Sequence, residues 1–322
     1  MKAIQIHECG GPEALRLEDV PEVEPGPGQV RVRLAAAGVN FIDVYQRTGL
    51  YAIPRPFTPG LEGAGEVVAA GPDTSGLAPG DRVAWAGVQG SYAEELLAPA
   101  ERLVRLPAGV EPRVAAALML QGMTAQYLVR STWPLQPGQT CVVHAAAGGV
   151  GLLLVQLAHR IGARVVATVS TEEKAVLARA AGADRVVLYT HEDFEAAAKE
   201  ESGGRGADVV YDSVGRTTWE KSLRCLGRRG MLVLFGQSSG VVPPIDPRLL
   251  ASGGSLFLTR PSLFDYVADR ESLEARAGEV LGLVERGGLD VRIGATWPLA
   301  EAADAHRALE ARQTTGKVLL LP

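Results

Sequence analysis

The chain has 322 residues, of which 47% are hydrophobic and 21% charged, with a formal net charge of -5. That length exceeds what one core usually fills, so two domains of ordinary globular composition are expected. The acidic balance and the absence of a lysine-arginine block argue against nucleic-acid binding. No apolar run reaches transmembrane length, and the start (MKAIQIHECGGPEAL) resembles neither a signal nor a transit peptide, so a cytoplasmic location is expected. Cys9, Cys141 and Cys225 lie too far apart for a disulfide framework or a zinc cluster.

In chain order, Met1–Ile6 reads as a strand, and Gln29–Ala35 (QVRVRLA) alternates as a half-buried antiparallel strand does. Gly38–Tyr51 (GVNFIDVYQRTGLY) opens with a turn and continues at helical spacing. Gly60–Gly71, Asp81–Trp85 and Ser91–Leu97 are further short strands between Gly/Pro turns, the pattern of a small, partly open β-barrel. Leu118–Val129 is helical and carries the chain out of this unit. Beyond it, strands at Thr140–Val143, Arg164–Ser170, Asp184–Tyr189, Ala207–Tyr211 and Gly230–Phe235 alternate with helical patterns, which implies a doubly wound parallel sheet. Ser255–Thr259 reads as its last strand. Leu263–Arg286 is a long helical region, Leu289–Trp297 a strand, Ala300–Arg312 an amphipathic helix and Lys317–Leu321 a closing strand.

The stretch Thr140–Gly162 (TCVVHAAAGGVGLLLVQLAHRIG) joins a buried strand to a helix through a turn of small residues. Strand, tight turn and helix are the context a dinucleotide fingerprint needs. The helix N-terminus offers unpaired N–H groups to a pyrophosphate, and glycine lets the backbone approach it. Ala146 stands where G-x-G-x-x-G would begin, followed by Gly148, Gly149, Val150 and Gly151. The next strand ends at Ser170, where an NAD site would place Asp or Glu for the ribose 2′-OH. Ser170 can donate to a 2′-phosphate and Lys174, one turn further on, can pair with it, so NADPH is the expected cofactor.

The runs PFTPGLEGAGEVVAAG and GDRV resemble the quinone oxidoreductase (zeta-crystallin-like) branch of the medium-chain dehydrogenases/reductases. The likeness continues through GVNFIDVYQRTGLY, AALMLQGMTAQYL, VHAAAGGVG, VVYDSVG, VLFGQSSG and LTRPSL. It implies an α/β chain with a GroES-like β-barrel catalytic domain and a Rossmann doubly wound parallel sheet. The expected boundaries are 1–115 for the first part of the catalytic domain, 116–261 for the NADPH-binding domain and 262–322 for the catalytic domain's remainder. Zinc-dependent cousins carry a cysteine after the strand ending at Ala36–Gly38 and a histidine in a GHE motif. Here the runs are GVNFID and Gly60-Leu61-Glu62, so no metal is expected.

The resemblance also implies roles. Asn40 (the only asparagine in the chain) would lie beside the nicotinamide ribose, with Asp43, Tyr45 and Tyr51 as further catalytic candidates. Gln121 and Thr124 would face the nicotinamide, Tyr189 would stack near the adenine and Ser213 would lie beneath the cofactor. Phe235, Gly236 and Gln237 would reach the nicotinamide side, and Lys317 would return toward the cofactor. A metal-free reductase would pass a hydride or electrons from NADPH to a quinone, the acceptor itself being the electron sink. The alternatives are an alkenal or enone reductase acting on an activated alkene, or an NADPH-binding structural or RNA-binding protein. Gly253–Pro261 resembles the edge strand through which family members form homodimers.

Overall fold

The computed structural model describes residues 1–74 and 76–322. The chain forms two compact units, one of Met1–Met123 with Val267–Pro322, the other of Thr124–Tyr266.

The first unit is a sheet with strand order Ile293–Pro298, Lys317–Leu321, Gln29–Val39, Glu62–Ala70, Arg82–Ala86 and Val104–Arg105, with Glu95–Pro99 also paired to Gln29–Val39. Ile293–Pro298 and Lys317–Leu321 run parallel, whereas the other pairings are antiparallel. Gln29–Val39 alternates as its sequence demands, burying Val30, Val32 and Leu34 while Arg31 and Arg33 point away. Register shifts at Arg31/Val32 and Leu34/Ala36 interrupt its pairing with Glu62–Ala70. It also pairs with Glu95–Pro99 through residues 29–33 and with Lys317–Leu321 through residues 37–39, three partners in all. Val318 and Leu320 join the same apolar core as Val30, Val32 and Trp85, which makes the C-terminal strand part of this unit. Trp85 is fully buried, and its indole N–H donates to Ser91 Oγ at 2.9 Å.

The second unit is an all-parallel sheet of order Arg185–Leu188, Arg164–Val169, Thr140–Val143, Ala207–Asp212, Leu226–Leu234 and Phe257–Thr259. All four residues of Thr140–Val143 are buried, as a central strand covered on both faces requires. The helix Gly149–Ile161 follows and stops at Gly162, whose φ of 87° ends it in the left-handed conformation. Chain order reverses between Thr140–Val143 and Ala207–Asp212, which is the switch point of a Rossmann sheet.

Several boundaries differ from those read in the sequence. Helix in the 38–51 stretch is confined to Phe41–Arg47. The strand expected at Ser91–Leu97 lies at Glu95–Pro99, because Ser91 and Tyr92 instead donate their N–H groups to Gly60 O and Pro59 O. The linking helix starts earlier, at Pro112, where a missing N–H costs nothing, and it runs across the expected junction near residue 115. Leu263–Arg286 is two helices, Leu263–Tyr266 and Arg270–Glu285. The second is restarted by Asp269, whose carboxylate accepts Ser272 N–H at 2.8 Å.

Candidate active site

In the first unit, four polar side chains converge behind the start of the Phe41–Arg47 helix. Asn40 precedes that helix, and Asp43 returns its carboxylate to the Asn40 N–H at 2.8 Å. The Asn40 amide group donates to Glu62 Oε2 at 2.8 Å and to Gly38 O at 3.3 Å. Its Oδ1 accepts from Lys317 Nζ at 2.8 Å and from Gln121 Nε2 at 3.2 Å. Lys317 also pairs with Glu62, whose other oxygen accepts Leu120 N–H at 2.7 Å. Glu62 and Lys317 are buried. Burial lowers the Lys317 pKa, opposed by the adjacent Glu62. Removing one partner of such a pair costs about 3–5 kcal/mol, because the other charge is stranded.

A second chain of contacts runs from Asp43. Tyr92 OH donates to Asp43 Oδ2 at 3.0 Å and lies 3.0 Å from His306 Nε2. On the far side Arg47 Nη1 reaches His306 Nδ1 at 3.2 Å, and the guanidinium grips Glu310 through two bonds of 2.9 and 2.8 Å. Burial and the Arg47 charge push the His306 pKa down to about 3, so the imidazole is neutral. Burial raises Asp43 to about 7, against the Asn40 N–H and Tyr92 OH that favour its ionised form. Asp43 Oδ1 and Gln121 Oε1 are buried without a hydrogen-bond partner among the described residues.

Tyr45 and Tyr51 meet edge to face, ring centroids 5.3 Å apart, with Tyr51 partly exposed. Of the expected first-unit residues, Asn40, Gln121 and Lys317 are thus in direct contact and Asp43 binds the Asn40 backbone. The tyrosines stand on the helix and loop beyond. Arg47, Glu62, Tyr92 and His306 were not foreseen. For Glu62 there was a signal, a carboxylate set among the glycines of GLEGAG, whereas His306 had none.

In the second unit the expected cofactor residues share one edge. Ala146, Gly148, Gly149, Val150 and Gly151 follow the strand Thr140–Val143. Ser170 and Lys174 follow Arg164–Val169, Tyr189 follows Arg185–Leu188, Ser213 follows Ala207–Asp212, and Phe235, Gly236 and Gln237 follow Leu226–Leu234. All are at or beyond the carboxyl ends of parallel strands, where open α/β sheets bind ligands. Thr124, the first residue of this unit, is buried on the linking helix. A Cβ on Gly151 would lie 2.3 Å from Ala145 O, and one on Gly236 2.5 Å from Ser213 O, so only glycine permits these approaches. The helix Gly149–Ile161 begins directly after this turn, and the first N–H groups of a helix have no partner within it.

Residues flanking the switch point are pinned from inside. His144 lies 2.8 Å from Thr168 Oγ1 and 3.0 Å from Ser222 Oγ, and Ser222 donates to Asp212 at 2.9 Å. Asp212 also accepts Val214 and Gly215 N–H. Serine, histidine and aspartate therefore meet, but the serine is buried and spends its proton on the carboxylate. No nucleophile results.

Residues 26–108 match the alcohol dehydrogenase GroES-like domain and residues 149–264 the zinc-binding dehydrogenase family. The chain is 48% identical to a quinone oxidoreductase of Pseudomonas aeruginosa, over 100% of this chain and 99% of that protein. It is 43% identical to a 2-haloacrylate reductase of Burkholderia, over 99% and 98%. Its structure matches that of Escherichia coli quinone oxidoreductase complexed with NADPH at a TM-score of 0.98 and 41% identity, covering 100% of both chains. With full-length likeness at these identities added to a GroES-like unit and a Rossmann sheet, the chain belongs to the quinone oxidoreductase branch of the medium-chain dehydrogenase/reductase superfamily.

Proposed function

We propose that the chain is an NADPH-dependent quinone oxidoreductase. The observation that carries the cofactor reading is the pairing of two adjacent strand ends. One bears the Gly148–Gly151 turn and the other Ser170 and Lys174, with no carboxylate in the place that would repel a 2′-phosphate. The turn holds the pyrophosphate through helix N–H groups, while Ser170 and Lys174 take the 2′-phosphate. When bound, NADPH supplies the hydride and its electron pair.

The chain's own residues orient and shield. Gln121 turns a carboxamide oxygen toward the nicotinamide half while Asn40, its own polar atoms spent on Gly38, Glu62, Lys317 and Gln121, holds it in place. Tyr45 and Tyr51 present ring faces and hydroxyls to a planar acceptor. Asp43 retains a proton beside Asn40 up to about neutral pH. The metal-free reading rests on the donor set. Position 61 is a buried leucine, and the one carboxylate beside it, Glu62, is neutralised by Lys317. With a leucine in place of an imidazole and the neighbouring carboxylate already paired, the site lacks the usual zinc donors. Reduction of an activated alkene is the second reading, supported by likeness to a 2-haloacrylate reductase. Homodimer formation through the Phe257–Thr259 edge is part of the proposal, supported by its pairing to Leu226–Leu234 and by exposed Phe257. No described helix is long and apolar enough to cross a membrane; a cytoplasmic location is part of the proposal.

The test is oxidation of NADPH and NADH by chelator-treated protein with ortho- and para-quinones, then enones. NADPH-selective turnover of a quinone, unaffected by the chelator, is expected. NADPH binding without turnover of any acceptor would favour the structural or RNA-binding alternative.

A further inference from the structure

The four-residue cluster behind the Phe41–Arg47 helix has a polarity that chemistry alone dictates. An ammonium only donates, so the Asn40 atom facing Lys317 Nζ at 2.8 Å is the carbonyl oxygen. An ionised carboxylate only accepts, so the Asn40 atom facing Glu62 Oε2 at 2.8 Å is the amide nitrogen. The Asn40 carboxamide therefore cannot turn over without setting oxygen against oxygen and nitrogen against ammonium. Its oxygen in turn faces Gln121, which fixes the contacting Gln121 atom as Nε2, at 3.2 Å. The second carboxamide is thereby set as well, and its Oε1 is left buried with no partner among the described residues. Gln121 is only 9% exposed. A buried acceptor without a donor is costly, and here the ion pair forbids the rotation that would relieve it.

We propose that the Glu62–Lys317 pair locks the orientation of two successive carboxamides, Asn40 and then Gln121, and so presents Gln121 Oε1 as a fixed acceptor for a neutral N–H or O–H on the nicotinamide half of NADPH. This rests on the NADPH reading above. Asn40, with both amide hydrogens and both oxygen lone pairs committed within the protein, relays the orientation and Gln121 makes the contact. Glu62 and Lys317 are positioning residues. The ligand donor is either the nicotinamide carboxamide or a hydroxyl of the adjoining ribose, and the two differ in the analogue that lacks them.

Fluorescence titration tests this with three reduced dinucleotides: NADPH, its 3-acetylpyridine analogue (no amide N–H) and its analogue deoxygenated in the nicotinamide ribose. Wild type should bind one analogue roughly tenfold more weakly than NADPH, a loss typical of one hydrogen bond. Gln121→Met should bind that analogue and NADPH alike. The uncharged double variant Glu62→Gln/Lys317→Met should lose the discrimination, because either carboxamide can then turn. The charge-swapped Asn40→Asp/Glu62→Gln should keep it, because an acceptor still faces both Lys317 and Gln121. Should the uncharged double variant fail to fold, Asn40→Leu leaves the ion pair intact, cuts the relay and should abolish discrimination. A Gln121→Met variant that keeps the wild-type ratio overturns the inference, as does discrimination that survives Glu62→Gln/Lys317→Met or Asn40→Leu. Wild type that binds no NADPH overturns the cofactor reading and this inference with it. NADPH binding with no preference over either analogue overturns this inference alone.

Discussion

Arg47 Nη1 lies 3.2 Å from His306 Nδ1 across 259 residues of sequence, and this one contact decides where the imidazole proton sits. A guanidinium only donates, so Nδ1 is bare and Nε2 carries the hydrogen. Nε2 then donates to Tyr92, and Tyr92 donates to Asp43. A surface-reaching Arg47–Glu310 pair thus sets the direction of every bond down to the residue next to Asn40.

The two ends of that chain respond oppositely to pH. Asp43, raised from 3.8 to about 7, contributes stability that is fully present below 3.8 and is lost as pH rises through about 7. His306, depressed from 6.5 to about 3, contributes stability that is present above 6.5 and is lost as pH falls through about 3. Across the acidic range they oppose each other. Asp43→Asn should therefore gain stability with rising pH more steeply than wild type, and His306→Gln less steeply. Urea denaturation across that range reads the slopes directly, and variant profiles parallel to wild type would refute the assignment.

Gly151→Ala puts a methyl 2.3 Å from Ala145 O and 2.7 Å from Ala146 Cα, so the turn must move. NADPH affinity should fall by roughly tenfold or more, with a stability loss of about 1–3 kcal/mol, the usual range for overpacking. Gly148→Ala meets Ala145 O at 3.2 Å and should be milder on both counts. Titration and thermal unfolding of the pair give the comparison. Equal effects would show that close packing at Gly151 is not what shapes the turn.

Ser170→Asp with Lys174→Ala replaces a donor by a carboxylate and removes the ammonium at the corner beyond Arg164–Val169. NADPH affinity should fall much more than NADH affinity, because only NADPH carries the 2′-phosphate. Parallel losses for both nucleotides would move the phosphate site elsewhere.

Phe257 is 49% exposed on the last strand of the parallel sheet, where the neighbouring pairing is to one side. Sedimentation at micromolar concentration should find a homodimer in wild type and a shift to monomer in Phe257→Glu, since a charge opposes strand addition at an edge. Wild type sedimenting as a monomer would remove this edge from consideration.

The second unit was legible because its information is local. Each strand, turn and helix of the parallel sheet lies within some thirty residues, so periodicity and small-residue turns reveal it. The first unit's site is different in kind. Gln121 meets Asn40 across 81 residues and Lys317 meets Glu62 across 255, and no spacing rule connects such positions. Resemblance pointed to Asn40, Gln121 and Lys317 as cofactor contacts, but not to Glu62 as the group that joins them. The break between Tyr266 and Arg270 was missed for a related reason. Apolar periodicity continues through 263–286, and only the Asp269 side chain turned back on Ser272 marks the restart.

The placement of Lys317–Leu321 between Gln29–Val39 and Ile293–Pro298 has a consequence for how the protein is made. A ribosome finishes the contiguous unit Thr124–Tyr266 well before it reaches Lys317, so that unit can fold while synthesis continues. The other unit waits with a gap in its sheet and with Glu62 lacking its cation. Lys317 emerges 277 residues after Asn40. Translation that stops just short of it yields a dinucleotide-binding body whose partner unit carries an uncompensated buried carboxylate. A buried charge stripped of its partner is costly, so that unit should be markedly less stable than in the full chain.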